Sequence, residues 1–477
     1  METPFSAASE IALTTIRNRA PIVFELAKRF ESLNFQLAIV GGSVRDSLLG
    51  RLGKDLDFTT NARPEEIKKI LRTFAEDVWE VGINFGTIAA RKDETVFEIT
   101  TYRNEKYQSN SRNPVVEFGD NIEGDLKRRD FTINSMAIEL TGESPRFIDP
   151  FGGVTDLLKK EIKTPGTAED SFNDDPLRML RAARFASELD FAINESVIDA
   201  MSLLADRLTI ISAERIRDEF VKIMLSNNPR IGITTLVDTG LCEKFLPEIP
   251  KLRLEVDEHH HHKDVYEHTL TVIEKSISQE GENGPNLTLR LAALMHDVGK
   301  PKTKALIPGG GVSFHHHEVV GARITRERLK SLRFEHEIVE NVAKLVFLHL
   351  RFHGYGGGEW TDSAVRRYVR DAGNLLQLLH SLTRADCTTR NQKKADLLAK
   401  NYDHLESRIS ALMEEEELLK LRPDLDGNQI MEILNIPAGP IVGKAYEFLL
   451  ELRIEEGPLG LEKAKEKLLS WWSDNRN

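Results

Sequence analysis

Two aspartates one residue apart, Asp55 and Asp57, lie in the run Lys54-Asp55-Leu56-Asp57-Phe58. In an extended strand successive side chains point to opposite faces, so both carboxylates fall on one side while Leu56 and Phe58 take the other. Paired hard oxygen donors suit Mg²⁺, which takes one or two carboxylates and fills its octahedron with water and substrate phosphates. Just upstream, Gly41-Gly42-Ser43-Val44-Arg45-Asp46 closes a short apolar run. Glycines at the mouth of a helix let backbone N–H groups approach a phosphate closely, and Arg45 adds a charge-assisted contact. Each signal alone has an ordinary explanation, a surface acidic pair or a tight turn. In this order they point to phosphate held beside a metal.

Two more elements follow. Lys127-Arg128-Arg129-Asp130-Phe131-Thr132-Ile133-Asn134 sets adjacent bases before an apolar run, and Asp174-Asp175-Pro176-Leu177-Arg178-Met179-Leu180-Arg181-Ala182-Ala183-Arg184-Phe185 spaces three arginines by three. On a helix, residues so spaced fall within about a third of the circumference. Arg178, Arg181 and Arg184 are therefore expected to converge on one ligand, with an anion or nearby carboxylates relieving their repulsion.

A separate constellation comes later: Tyr266-Glu267-His268, Met295-His296-Asp297-Val298-Gly299-Lys300 and Arg384-Ala385-Asp386, with His315-His316-His317 and His349 between. Imidazoles and carboxylates drawn from several helices can hold one or two divalent ions in a helical bundle. A lone buried histidine is usually structural, so the weight rests on the ordered set; His259 to His262 is taken as a solvated run.

The elements that must position these groups alternate in the first 160 residues or so. Gln36 to Val40, Asp55 to Thr60, Val78 to Val81, Thr87 to Ala90, Val96 to Thr101 and Ser135 to Leu140 are strand candidates. From Asp174 helical periodicity dominates, starting with Asp-Asp-Pro as N-cap and first turn. Glu280 to Asn286 and Gly354 to Gly358 are loops. The fold expected is an α/β head followed by an all-α body. Its expected segments are 20 to 160 for the head, 161 to 250 for a helical neck, 255 to 400 for a metal-binding bundle and 401 to 477 for a helical tail.

Composition narrows the classes. A chain of 477 residues is long enough for several domains. No apolar run approaches the roughly 20 residues of a membrane span, and the first 20 residues lack the apolar block of a secretory signal. Two cysteines, Cys242 and Cys387, fit a reducing cytoplasm better than a disulfide scaffold. Net charge is −12, yet arginines gather at 127 to 129 and 178 to 184. A local basic track of that kind can hold one RNA with strong salt dependence.

Taken in order, the first four elements resemble class II tRNA nucleotidyltransferases and the related bacterial poly(A) polymerases, over roughly Gln36 to Leu225. The resemblance implies a polymerase-β-like nucleotidyltransferase head in which Gly42 and Arg45 hold the triphosphate, Asp55 and Asp57 bind Mg²⁺, and Arg129 contacts the nucleotide and helps select ribose. The family's Glu-Asp-x-x-Arg template is written Asp174-Asp175-Pro176-Leu177-Arg178 here. Asp175 and Arg178 map onto the pair that reads the Watson–Crick edge of CTP or ATP, with Arg181 and Arg184 as further nucleotide contacts. The implied partner is tRNA, whose 3′-hydroxyl attacks the α-phosphate and releases pyrophosphate. Thr101 to Pro114 resembles the family's flexible loop at Arg103 and Glu105, but the downstream Asp is absent and the run to Arg112 is longer. That departure bears on strict CCA addition, so addition of A alone, of CC alone, or of poly(A) stays open beside it.

The later constellation resembles the HD superfamily of metal-dependent phosphohydrolases, with His268, His296, Asp297 and Asp386 as ligands of a divalent metal. The His315 to His317 cluster and His349 fall where two-metal members add ligands. A phosphohydrolase with a merely nucleotide-binding head is the reading from another class, against which the intact Asp55 and Asp57 argue. The tail, a helix, a Gly/Pro turn at Ile436 to Gly443 and a second helix, resembles the tRNA-body region of bacterial nucleotidyltransferases; a helix hairpin closing the fold is the plainer account.

Overall fold

A computed structural model of the chain describes residues 4–82, 86–106, 115–119, 121–254, 264–282, 284–306, 312–352, 360–388, 391–416 and 422–475. The expectations placed on His259 to His262, on Gly354 to Gly358 and on Tyr107 to Pro114 lie outside these residues. The chain divides into two units, Met1–Leu246 and Pro247–Asn477.

The first unit is built on a mixed sheet. Its strands are β1 (Leu37–Val40), β2 (Asp55–Thr60), β3 (Asp77–Gly82), β4 (Thr87–Lys92) and β5 (Thr95–Thr101), then a separate hairpin of β6 (Arg103–Lys106) and β7 (Val115–Phe118), then β8 (Ala137–Glu139) and β9 (Arg146–Ile148). The seven-stranded order is β3-β4-β5-β2-β1-β8-β9. All four residues of β1 are buried, as a central strand with both faces covered requires. In β2 the alternation sends Leu56 and Phe58 into the core, against Phe97 and Ile99 of β5, and leaves Asp55 and Asp57 exposed. The helices Pro4–Arg19 and Ile22–Glu31 cover the core face with Ala12, Ile16, Leu26 and Phe30, all fully buried.

Three local expectations differ. Ser135 to Leu140 yields a strand only over Ala137–Glu139, because Thr132–Asn134 forms a 3₁₀ turn whose chain continues through Ser135, with the Ser135 hydroxyl donating to the Phe131 carbonyl at 2.9 Å. Asp174 closes the helix Ala168–Asp174 instead of capping the next one. The following helix is Leu177–Leu189, and the cap is Asp175, whose Oδ1 accepts the Leu177 N–H at 3.0 Å. Finally, the helical body holds two small strand pairs, Glu161–Ile162 with Ala192–Ile193 and Ala305–Leu306 with Val312–Ser313.

In the second unit Val265–Ser278, Leu287–Met295, His317–Ser331, His336–Leu348 and Leu376–Asp386 form a helical bundle. The helix Leu287–Met295 is its centre, with Leu291, Ala292, Ala293, Leu294 and Met295 fully buried, as expected of a helix apolar on all sides. Three further helices, Gly427–Leu434, Pro440–Glu456 and Leu461–Asp474, enclose a small core of Ile430, Ala445, Leu449 and Leu468, with Trp471 stacked on Phe448. The expected helix, turn and helix are the first two. Arg367 to Glu455 at 2.6 Å and Arg370 to Glu451 at 2.8 Å join Pro440–Glu456 to the helix Asp362–Ala372.

Candidate active site and metal cluster

The phosphate turn is shaped by Gly41, which has φ +67°. The position favours glycine for this backbone angle, while a Cβ there, 2.8 Å from Nη1 of Arg129, would only push that flexible guanidinium aside. The helix Gly42–Leu48 starts at this point. Ser43 Oγ accepts the Asp57 N–H at 3.0 Å, which fixes the second aspartate of β2 against the turn. The surrounding protein desolvates the Asp57 carboxyl enough to raise its pKa, although the residue keeps an open surface; Arg129, Arg45 and Arg181 pull the other way and Asp55 adds to the rise.

Arg45 is buried and committed. Its Nη1 donates to Asn134 Oδ1 at 2.7 Å, and its Nε and Nη2 fork onto Asp46, both at 3.0 Å. Asn134 in turn donates from Nδ2 to Asp130 Oδ1 at 3.0 Å, and Asp130 Oδ2 accepts Nε and Nη2 of Arg181 at 2.8 and 2.5 Å. A continuous chain of buried polar contacts thus joins the phosphate turn to the helix Leu177–Leu189. Burial would raise the Asp130 carboxyl, but Arg181 and Asn134 hold it well below the usual carboxylate range.

The third and fourth sequence elements meet in a cleft of about 260 Å³ lined by Lys127, Arg128, Arg129, Asp174 and Arg178 among others. Arg178 donates to Ser171 Oγ at 2.9 Å and to the Arg128 carbonyl at 2.6 Å. Arg128 and Arg129 both pair with Asp125, which is fully buried. The nearby carboxylates expected to relieve the repulsion of these arginines are present. Arg181 belongs to Asp130 and Arg184 to Glu219 at 3.1 Å, because residues three apart drift around the helix and each meets a carboxylate from a different element. Phe185 sits among them, with the guanidiniums of Arg45, Arg181 and Arg184 at 5.1, 5.4 and 4.3 Å from its ring centre.

Four residues at this site were not found from sequence. Glu98 pairs directly with Asp57 across β2 and β5, placing a third carboxylate on the metal face; burial raises its pKa and Asp57 and Asp55 add to the rise. Its signal was the exposed acid inside the Val96 to Thr101 alternation. Arg215 donates to Asp175 Oδ2 at 3.2 Å, and Glu219 lies within reach of Arg184, Lys222 and Arg181. Asn134 closes the Lys127 to Asn134 element, but the sequence gave it no role, since a polar residue ahead of an apolar strand is common.

The second cluster is buried and rich in imidazole. His268, His296 and Asp386 form one group of potential ligands, and Asp297, His317 and His349 another. His268 Nε2 lies 2.9 Å from Asp386 Oδ1 and 3.2 Å from His296 Nε2, while His317 Nε2 lies 3.3 Å from Asp297 Oδ1. Of the three adjacent histidines, His317 is the buried one; His315 and His316 are exposed. Gly299 explains the close fit, since a Cβ there would lie 2.1 Å from the His317 carbonyl.

Each imidazole is oriented by its other nitrogen. Nδ1 of His296, His317 and His349 bonds the carbonyls of Ala293, Phe314 and Val346 at 2.8, 2.8 and 2.6 Å, and Nδ1 of His268 meets Thr388 Oγ1 at 2.9 Å. A carbonyl only accepts, so Nδ1 of His296, His317 and His349 carries a proton, and Nε2 is the nitrogen each ring turns to the cluster. Nε2 of His317 and of His349 are buried without a hydrogen bond, which a cation at the centre would satisfy, while Oδ2 of Asp297 lies 2.8 Å from the Lys300 ammonium. Burial pushes the His349 imidazole down to about 3, assisted by His296 and His317, whereas at His296 the Asp297 carboxylate outweighs burial and the ring rises to about 9. The donor set fits a divalent transition metal.

Comparison with known proteins matches both regions of the chain. The model of the poly A polymerase head domain matches residues 37–163, that of the probable RNA and SrmB-binding site of polymerase A matches 190–252, and that of the HD domain matches 265–391. A CCA-adding enzyme of Enterococcus faecalis is 40% identical over 238 residues, 50% of this chain and 57% of that protein. An A-adding tRNA nucleotidyltransferase of Deinococcus radiodurans is 32% identical over 446 residues, 92% of this chain and 95% of its own length. The fold is that of the Bacillus stearothermophilus CCA-adding enzyme solved with CTP, with TM-score 0.68 at 22% identity over 100% of this chain and 99% of that one. The chain belongs to the tRNA nucleotidyltransferase and poly(A) polymerase family, with an HD domain after its head. Several curated relatives, the E. faecalis enzyme among them, are matched over little more than half their length. No helix among the described residues is long and apolar enough to cross a membrane, and both cysteines are free.

Proposed function

We propose that the chain adds nucleotides to the 3′ end of tRNA, using CTP and ATP without a nucleic acid template and releasing pyrophosphate, and that it completes or repairs the CCA terminus. The observation that carries this reading is the shared face of Asp55, Asp57 and Glu98 beside the Gly41-Gly42 turn, with the cleft of Lys127, Arg128, Arg129 and Arg178 in the same unit. Asp55 and Asp57 would hold Mg²⁺, which lowers the pKa of the attacking hydroxyl and stabilises the leaving pyrophosphate. Gly42 serves the triphosphate, with Arg45 joining it once Arg45 releases Asp46 or Asn134, Arg129 serves the ribose, and Asp175 and Arg178 the base, with Arg181 and Arg184 behind them. Asp175 is paired with Arg215 and caps Leu177, so reading a base requires Arg215 to release it.

A second reading within the family is addition of A alone. It draws support from the D. radiodurans relative, which aligns along nearly the whole chain and is named for A addition. One assay separates the two. Transcripts ending at the discriminator base, and others ending in CC, are incubated with CTP, ATP or both plus Mg²⁺, and products are read at single-nucleotide resolution. Growth by C, C and A on the first transcript supports CCA addition. Extension only of the CC transcript by ATP moves the assignment to A addition, and no extension of either sinks the transferase reading.

For the HD domain we propose a divalent metal held by His268, His296, Asp297 and Asp386, with His317 and His349 as the further ligands of a two-metal site. Metal-activated water would then cleave a phosphate ester or a 2′,3′-cyclic phosphate. Release of product from 2′,3′-cyclic AMP, lost in Asp297→Ala, is the check; no hydrolysis with Mn²⁺, Co²⁺, Ni²⁺ or Zn²⁺ present would reduce the cluster to a structural role.

A further inference from the structure

The helix Leu376–Asp386 carries the HD ligand Asp386 at its end and, nearly two turns earlier, a second buried histidine. His380 is 5% exposed, and neither ring nitrogen makes a hydrogen bond. Its ring is stacked on Tyr368, with centroids 5.8 Å apart and planes at 8°. Nδ1 lies 3.4 Å from Glu406 Oε1, which Arg384 Nε also reaches at 3.1 Å. The residue lines a cavity of about 290 Å³ between its own helix and Gln392–Glu416. That is close to the lower end of small-molecule pockets, about 300–1,000 Å³.

The chemistry of the cavity is asymmetric. A carboxylate accepts and never donates, so the contact with Glu406 favours the tautomer protonated on Nδ1, leaving Nε2 as an unmet acceptor on a residue that lines the cavity. Glu406 gives Oε1 to Arg384, which leaves Oε2 as a second acceptor. Leu376 and Ile409 are buried and Met413 half-buried along the walls, and Asn374, Gln377 and Ser410 are exposed at the rim. The floor thus offers acceptors between apolar walls. A buried acceptor left unmet costs its full desolvation, so the matching occupant brings N–H groups on a flat apolar body.

From this placement of His380, Glu406, Ile409 and Met413 we infer a second ligand site in the Pro247–Asn477 unit, one that takes an amino-substituted heterocycle of nucleobase size. The exocyclic amine of adenine or cytosine donates to Glu406 Oε2 and His380 Nε2, and the ring lies between Leu376, Ile409 and Met413. Uracil, which carries a carbonyl in place of the amine and offers a single N–H at N3, can meet only one of the two acceptors and binds more weakly. The site needs neither the head carboxylates nor the HD metal cluster.

The full chain is titrated by calorimetry with adenosine, cytidine and uridine, which lack the phosphates the head recognises, and with a short single-stranded RNA ending in adenosine. Adenosine and cytidine bind at least tenfold more tightly than uridine. Ser410→Trp, which fills the mouth from an exposed position, removes this binding, and His380→Phe, which keeps the stack on Tyr368, weakens it at least tenfold while tRNA extension stays within twofold. Tighter binding of the RNA than of adenosine, lost equally in Ser410→Trp, makes the natural occupant an RNA end; equal affinity makes it a free nucleoside. Binding that Ser410→Trp leaves unchanged, or none by any ligand at millimolar concentration, overturns the site and leaves a solvated cavity only.

Discussion

The molecule holds two metal-directed clusters built on opposite plans. On the head, carboxylates stand exposed on the strand β2, with Glu98 beside them, and few protein bonds fix them beyond Ser43 to Asp57. In the HD domain the imidazoles are buried, and each is locked by a bond at Nδ1. The difference fits what each site is proposed to admit. Mg²⁺ arrives with its nucleotide and keeps several waters, so its protein ligands need an open face. A transition metal held by imidazole can be enclosed, and orienting its ligands in advance raises affinity.

The sharpest way to break this contrast is to remove one cluster and read the other. Asp55→Ala or Asp57→Ala is expected to lower tRNA extension by about 1,000-fold or more, the scale of losing a metal that stabilises the developing charge. Metal content of the HD domain, read by mass spectrometry, should not change. A dependence of HD metal on Asp55 would end the claim of two independent sites.

The reverse experiment reads stability. Asp297→Ala leaves His296, His317 and Lys300 without their shared carboxylate, and breaking a buried charge set costs about 3–5 kcal/mol. Thermal unfolding of the second unit should fall by several degrees, and bound divalent metal should be lost. EDTA added to the intact chain should lower the same transition by a smaller step, because a ligand present at 100 times its Kd stabilises by about 2.7 kcal/mol. An unfolding curve indifferent to chelator would show the cluster to be metal-free in solution.

Within the head, the chain Arg45, Asn134, Asp130 and Arg181 should behave as a unit. Asn134→Ala removes a hydrogen bond to a charged group, worth about 1.5–3 kcal/mol, so kcat/KM for the nucleotide is expected to drop about tenfold to a hundredfold, mostly through KM. Arg181→Ala added to Asn134→Ala should cost less than the sum of the single losses. Full additivity would reduce the chain of contacts to coincidence.

The smallest effect is one of pH. Asp130 is depressed in the folded state, so the stability it contributes is fully present above about pH 3.9, its ordinary value, and is lost only as pH falls through the lowered one. Asp130→Asn should be less stable at neutral pH and should flatten the part of the acid limb below about pH 4. An acid limb unchanged by the substitution would place the linkage elsewhere.

Much of this was legible because local spacing carries it. Two-residue alternation alone put Asp55 and Asp57 on one face and Leu56 and Phe58 on the other, and β2 runs over Asp55–Thr60 as its pattern requires. The ordered His268, His296, Asp297 and Asp386 set was legible through its resemblance to the HD superfamily and not through local spacing, and the structure brings these residues together in the buried cluster. What spacing cannot encode is which side chain another element brings near. That His317 and not His315 or His316 enters the cluster depends on a left-handed backbone at His316, φ 61°, and on a glycine 18 residues earlier that lets the helix approach. That Arg45, Arg181 and Arg184 each meet a different partner depends on Asn134, Asp130 and Glu219, drawn from three separate segments. The sequence by itself determined which chemistries the chain carries and on which faces of its strands and helices they stand. Only the tertiary structure decided which charges are spent on one another and which remain to meet a ligand, since that follows from burial and long-range neighbours that no local period records.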